Sequence, residues 1–414
     1  MDGLSPHHFA GIDWASEKHS LCVIDPAGAI RSSLSFTHTA DGIADAIRQL
    51  DRLGPRAQLP IAIERPSGLL IDTFVDAGFP IVPIHPNALK ATRPRYSAAA
   101  GKADPGDAYI AADILRTDGH RFRVLSGPSD HTRALRAAIR TRDDLVATRI
   151  QLANQLQALL DSFWPGPLCM FHEVASWICL KFLEEFPSPA AAAKLTEKRL
   201  QRFLTRNGYS GRRTPSELLA RLHQAPTGHA PELECQVKAQ LVRSLVAILR
   251  ILMAQIRDGE QLIEAQLQQH PDAPIIRSFP RTGSVNAAQI LAELGDNRDR
   301  FSSFDQLSAE SGVCPVTFQS GKHRGVAFRF ACNKRLRQAI TTWADNSRHG
   351  SSWAAAVYKA ARQRGCDHPH AVRILARAWL RVLWRCWTDR TLYDPQLHGR
   401  ALPFLAPEPS ALTA

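Results

Sequence analysis

The chain has 414 residues, 44% hydrophobic and 22% charged, with a formal net charge of +12. This composition gives length for two to four globular units and excludes a disordered or collagen-like chain. Eight scattered cysteines form no CxxC pair, and no His/Cys cluster has zinc spacing, so neither a disulfide scaffold nor a zinc module is expected. The start, MDGLSPHHFAGIDWAS, lacks the basic and apolar regions of a signal peptide. The longest apolar helical stretches carry arginine at intervals, so no membrane span is expected and the expected location is the cytoplasm, by the nucleoid of a prokaryote.

The first 125 residues read as alternating strands and helices. Phe9 to Trp14, Ser20 to Ile24 and Ile30 to Phe36 have strand character, with Asp25-Pro26 and Gly28 between the last two. Ala40 to Leu53 has helical spacing and stops at Gly54. Leu59 to Ile63 reads as a strand, Ser67 to Ala77 as a helix, Phe79 to Ile84 as a strand, and a further helix starts at Asn87. The order β-β-β-α-β-α-β-α is that of a ribonuclease H-like layered domain.

Acids punctuate this segment. Asp13 ends the first strand and Glu64 the fourth, while Asp104 and Asp107 stand three apart where a helix to Arg116 begins. Positions i and i+3 share a helix face. Carboxylate oxygens suit Mg²⁺ or Mn²⁺, and two such ions can clamp a phosphoryl group between attacking and leaving oxygens. A single Asp at such a place usually caps a helix; four at these element ends point to a metal site.

GIDWASEKH, AIERPSG and KADPGDA resemble the three signature blocks of the RuvC-like DEDD domain in transposases of the insertion-sequence-110 family. All four acids of that pattern are present as Asp13, Glu64, Asp104 and Asp107, although Pro105-Gly106 is unusual between the last two.

Pro128 to Phe163 reads as one long helix with Leu135, Ala138, Leu145, Leu152, Leu156 and Leu159 near heptad steps. Smaller helices follow to about residue 230, with a basic turn at Arg206 to Arg213. Glu232 to Gln268 is again a long helix, with Leu241, Leu245, Ile248, Leu252, Ile256 and Ile263 as its expected stripe. Two long helices around an insertion suggest an antiparallel coiled-coil linker, residues 126 to 270. A bundle core is the plainer reading.

Residues 271 to 395 are expected to form a mainly helical C-terminal domain, followed by a loose tail, 396 to 414. From Phe301 to Arg390 there are 15 Lys/Arg against 5 Asp/Glu, which points to a polyanion. Pro280-Arg281-Thr282-Gly283 before a helix, Val285 to Leu294, is like a helix-hairpin-helix turn that holds a phosphate. Gly312 to Lys334 reads as a Gly-flexed basic loop holding Ser320, with Lys322, Arg324, Lys334 and Arg335 as candidate phosphate contacts. Arg373, Arg377, Arg381 and Arg385, each four apart, form a basic ridge on a later helix; a solvated face is the plainer reading.

Ser320 has no His-Asp partners at recognisable spacing, which argues against triad hydrolysis. FSSFDQLSAESG, Gln319-Ser320-Gly321-Lys322 and Asn333-Lys334-Arg335-Leu336-Arg337 resemble the second domain of the same transposase family. The resemblance implies a recombinase in which Ser320 forms a covalent bond to DNA with help from a Mg²⁺ (or Mn²⁺) site at the four acids. It also implies a structured non-coding RNA as guide, DNA as partner, and a homo-dimer or tetramer. The alternatives are a metal-only DEDD nuclease or junction resolvase, and a non-catalytic DNA-binding scaffold.

Overall fold

The structure, a computed structural model, describes residues 7–64, 68–96, 104–125, 127–226, 228, 230–321 and 323–398, with the backbone alone at Asp104, Pro105, His323 and His398. The chain divides into two compact units, residues 1–127 and 128–414.

In the first unit, β1 (Phe9–Asp13), β2 (Lys18–Ile24) and β3 (Ile30–Thr37) form an antiparallel meander. After α1 (Ala40–Asp51), β4 (Ile61–Ile63) pairs parallel with β1. After α2 (Leu69–Asp76), β5 (Ile81–Pro83) pairs parallel with β4. The mixed five-stranded sheet has the order β3-β2-β1-β4-β5. Ala10, Ile12, Leu21 and Val23 alternate onto one face, where they pack with Ile43, Ala46 and Leu50 of α1 and Leu70 and Phe74 of α2. The other face takes α3 (Pro86–Thr92) and α4 (Asp104–Asp118): Ala62 and Val82 meet Leu89, Ile110, Ala111 and Ile114, while Cys22 and Ile24 meet Ala108 and Ala112. The expected element order is present, with β4 and β5 each two to three residues shorter than the apolar runs suggest. Leu59 is buried outside the strand, because a hydrophobic residue needs burial but not ladder bonds.

In the second unit, α5 (Asp130–Asp161) and α11 (Glu232–Gln269) are the two long helices, here paired antiparallel. Leu135 and Ile139 near the start of α5 share a core with Ile263 and Leu267 near the end of α11. Leu156 and Leu160 share another with Val242, Val246 and Leu249. Between them lie α6 (Gly166–Met170), α7 (Trp177–Glu185), α8 (Pro189–Ala192), α9 (Glu197–Arg206) and α10 (Pro215–Gln224), which pack Phe182, Phe186 and Phe203 into that second core. The expected stripe on α11 holds in its second half, where Ile256 and Ile263 are buried, and is corrected in its first: Leu241 and Ile248 are about half exposed, and the buried seam there runs one position later, through Val242, Val246 and Leu249. Contrary to the sequence reading, α11 is long and apolar enough by length and composition to cross a membrane. Its seam is nevertheless filled by α5, and Arg142 of α5 donates from Nη2 to Oε1 of Glu260 (2.8 Å) in mid-seam.

The C-terminal core is built from α12 (Ala273–Arg277), α13 (Ser284–Leu294), α14 (Phe304–Glu310), α15 (Lys334–Ser347), α16 (Ser352–Gln363) and α17 (His368–Asp389). Trp343, Trp379 and Trp387 are wholly buried in it, and each indole N–H finds an acceptor, in Pro280 O (3.1 Å), Ser347 Oγ (2.7 Å) and Asp272 Oδ2 (3.3 Å). This unit is not purely helical. The basic loop expected around Ser320 is instead an antiparallel hairpin of β6 (Val316–Ser320) and β7 (His323–Ala327). Gly321, at φ +56°, supplies the left-handed turn that a two-residue connection requires.

Candidate active site and nucleic-acid face

Register places two of the acids side by side. Ile12 of β1 lies opposite Ile63 of the parallel β4, so Asp13 and Glu64 are neighbours at the same sheet edge. Strand alternation puts Asp13 on the face of Gly11, and Glu64 on the face of Ala62. Gly11 and Ala62 are register partners, so this is one face, the one covered by α4.

Gly11 sets how close that helix comes. A Cβ there would lie 2.1 Å from Ala108 O and 2.6 Å from Ala112 N, so only glycine permits the contact. The helix runs against β1. Its later residues reach the strand's start, where Tyr109 Oη donates to Gly28 O (3.3 Å) and Arg116 Nη1 to Pro26 O (3.3 Å). Its first turn, with Asp104 and Asp107, therefore lies toward the strand end that carries Asp13.

The Asp107 carboxylate is held from both sides by one guanidinium: Arg93 Nε donates to Oδ1 and Nη2 to Oδ2, each at 2.8 Å. The carboxylate is 12% exposed. Arg93 escaped the sequence reading, because nothing in the spacing of Arg93-Pro94-Arg95 marks one arginine as the partner. Nearly two turns further in, buried Asp113 accepts from Tyr96 Oη and from Arg116 Nε (2.7 Å), a pairing that fixes α4 from within. Burial, and then this contact with Asp113, raises the Tyr96 pKa. Asp13 is half-buried and Glu64 exposed. The Asp104 side chain lies outside the described residues. Among the described residues, no three His, Cys, Asp or Glu side chains form a ready metal cage.

Ser320 is the last residue of β6 and is exposed. Lys322 lies outside the described residues, and Arg324 is exposed opposite Gln319. The segment after the hairpin is tied down. Asn333 caps α15 by accepting from Leu336 N (3.1 Å), donates from Nδ2 to Glu293 Oε2 (2.7 Å), and sends its backbone N–H to Glu310 O (2.7 Å). Lys334, in the first turn of α15, is exposed. Arg335 turns toward α5, 3.9 Å from Asp143 and 3.8 Å from Asp144, which weakens its case as a phosphate contact.

The ridge on α17 is present, and it is stacked on aromatic rings that the sequence reading did not connect to it. Arg373 lies over Phe328 (5.1 Å), with Arg337 4.9 Å from the same ring. Arg377 and Arg381 lie over Phe304 at 5.6 and 4.7 Å. Arg377 also approaches Asp305 (3.4 Å), and Arg385 pairs with Asp389 (2.5 Å). Guanidiniums over ring faces still have N–H groups to offer a phosphate.

The expected helix-hairpin-helix place is a short helix, a turn and α13. Arg281 adopts φ +57°, a left-handed conformation that favours glycine. The turn is fixed by Thr282 Oγ1 donating to Phe279 O (2.9 Å) and by the Trp343 indole on Pro280 O.

Comparison with known proteins bears on both units. Residues 10–165 match a family described as "Transposase", and residues 273–359 match "Transposase IS116/IS110/IS902 family". The chain is 33% identical to "Mini-circle putative transposase for IS117" of Streptomyces coelicolor, over 94% of this chain and 95% of that one. It is 27% identical to "Insertion element IS116 uncharacterized 44.8 kDa protein" of Streptomyces clavuligerus, over 94% and 96%. It is 26% identical to "Insertion element IS110 uncharacterized 43.6 kDa protein" of Streptomyces coelicolor, over 95% and 94%. With matches at both ends and such coverage between them, the chain belongs to the IS110 family of transposases, enzymes of DNA transposition.

Proposed function

We propose that this transposase cuts and rejoins DNA through a serine-linked intermediate, with Ser320 as nucleophile and Asp13, Glu64, Asp104 and Asp107 as a divalent-metal site. The observation that carries the metal half is the β1–β4 register, which sets Asp13 beside Glu64 at the sheet edge met by the first turn of α4. The sheet order β3-β2-β1-β4-β5 supports a ribonuclease H-like, RuvC-like domain around it. A helix-hairpin-helix reading of α12, its turn and α13 completes the DNA-binding face.

The donor set fits a hard cation such as Mg²⁺ or Mn²⁺, because it consists of carboxylate oxygens. The guanidinium of Arg93 already supplies positive charge at Asp107, and Asp107 must release it to become a ligand. Bound there, a divalent ion supplies positive charge against the charge that builds on the phosphate oxygens.

The rest falls to the chain's own side chains. The Ser320 oxygen forms a bond to phosphorus as the bond from phosphorus to the 3′-oxygen breaks. The hydroxyl proton ends on the departing 3′-oxygen, leaving a 5′-phosphoserine. Rejoining reverses the step and needs no ATP, since the ester bond is conserved. The stacked arginines of α17 hold the backbone. The proposal requires the acids and Ser320 to act on the same phosphodiester, whether supplied by one copy or by two, and exchange of two duplexes calls for a dimer or tetramer. The basic excess suits RNA as well as DNA, and we include a structured guide RNA from the element's flank in the proposal.

The test uses the full-length protein with DNA of its element's ends and the flanking transcript. On a denaturing gel, wild type with Mg²⁺ is expected to give a protein–DNA adduct. Ser320→Ala gives none, and Asp13→Ala gives none while still binding DNA. Strand exchange by Ser320→Ala would overturn the covalent reading in favour of a metal-only nuclease. Ribonuclease treatment that left recombination intact would remove the guide RNA.

A further inference from the structure

The hairpin exposes apolar rings where a soluble surface has little reason to. Phe318 is 57% exposed and Phe330 77%, and neither belongs to the hydrophobic cores formed by the described residues. Phe318 lies flat across the opposite strand: a Cβ on Gly325 would come 2.2 Å from its Cζ. Glycine at 325 is thus what lets the ring lie down. By strand alternation, Phe318 and Ser320 point to the same face, two residues and therefore about 7 Å apart. Phe330 stands T-shaped to Phe328 (4.9 Å), the ring clasped by Arg337 and Arg373.

The charge around these rings selects the partner. Residues 311 to 344 contain six Lys/Arg and no Asp or Glu. A nucleic acid answers both features at once, with phosphates for the cations and base faces for the rings.

We infer that Phe318 is a positioning residue that stacks on an unpaired base next to the phosphodiester attacked by Ser320, with Phe330 offering a second plate along the strand. This rests on the reading of Ser320 as the attacking residue. An unstacked base turns its own phosphate outward, and a ring about 7 Å from the hydroxyl sets where that phosphate sits. Duplex DNA, whose bases face one another, gives Phe318 nothing to stack on, so the ring should favour single-stranded or melted substrate.

The experiment measures binding of the full-length protein to a fluorescein-labelled 20-nucleotide oligothymidylate and to a 20-base-pair duplex, over a series of salt concentrations. Phe318→Ala is expected to weaken oligothymidylate binding about 10-fold and duplex binding less than about twofold, with the salt slope unchanged because no cation is lost. Phe318→Trp restores binding and quenches 2-aminopurine placed in the oligonucleotide; Phe318→Leu, which keeps the bulk and hairpin packing, does not restore it fully. Wild-type oligothymidylate affinity in Phe318→Ala would overturn the inference. So would equal weakening on both probes with a changed sedimentation coefficient, which would place Phe318 in a protein interface. Failure of the serine reading shows in adduct formation, and failure of stacking shows in oligothymidylate binding.

Discussion

Gly11 and Arg93 carry more of the candidate site than their residue types announce. At Gly11 the sheet and α4 touch through backbone, and a methyl group has no room to form beside Ala108 O and Ala112 N. Gly11→Ala is expected to push α4 off the strand and to destabilise the unit by about 3 kcal/mol, read as a fall in denaturant midpoint. Arg93 competes with any cation for Asp107. Arg93→Ala is expected to tighten Mn²⁺ binding several-fold by titration calorimetry, while lowering the melting temperature through loss of a two-pronged charge-assisted pair. Weaker Mn²⁺ binding would instead make Arg93 an organiser of the site. Asp13 and Glu64 were legible because a strand ending on an acid shows in a local pattern. Arg93 was not, because it is 14 residues from Asp107 and the pairing depends on how α3 returns beside α4.

Elements were legible where periodicity is long and unbroken. Both long helices begin and end within about two residues of the expected places, since their caps and flanking prolines lie in the chain itself. Which side of the first half of α11 is buried was not legible, while Ile256 and Ile263 of the second half go in as expected. It has two apolar stripes, and only contact with α5 decides that Val242, Val246 and Leu249 go in while Leu241 and Ile248 stay out. The hairpin was open to reading: Val316–Ser320 and His323–Ala327 are separated by two residues, the first a glycine. The basic residues and Gly321 drew the interpretation toward a loop instead.

The Arg142–Glu260 pair offers a test at this scale. Partly buried ion pairs in a helical seam give register at a cost in stability. Replacing both with leucine is expected to raise thermal stability by about 1 kcal/mol or more. Glu260→Leu alone should lower it, because Arg142 then keeps only its longer contact to Asp143 (3.4 Å). A stabilised single variant would show that the pair contributes nothing.

At the scale of the molecule, His270 joins α5, the end of α11 and the segment after α13. Its Nδ1 accepts from Asp272 N (3.1 Å), so Nδ1 carries no proton; its Nε2 faces Thr132 Oγ1 (2.9 Å), which donates to Asp296 Oδ1 (2.6 Å). Burial holds its pKa below the ordinary 6.5, outweighing the pull of Asp296 and Asp272. The unfolded chain therefore binds the proton at a higher pH than the folded one. Stability is full above about pH 6.5 and falls as pH drops below it. His270→Gln should flatten that slope in chemical denaturation between pH 7 and 5. The charge of the whole chain sets a second expectation: DNA affinity falls steeply with salt, and Arg377→Ala with Arg381→Ala lowers the slope of log K against log salt by about 2. The paired long helices carry one consequence of their own. Their ends are anchored in separate cores, one made by the C-terminal helices and one by α6 to α10. The 70 or so residues from about 162 to 231 thus form a cassette inserted at the tip of a hairpin of helices, where exchange between relatives need disturb neither the acids nor Ser320. A change in that cassette can alter the tip of the helix pair while the core at its other end stays in place.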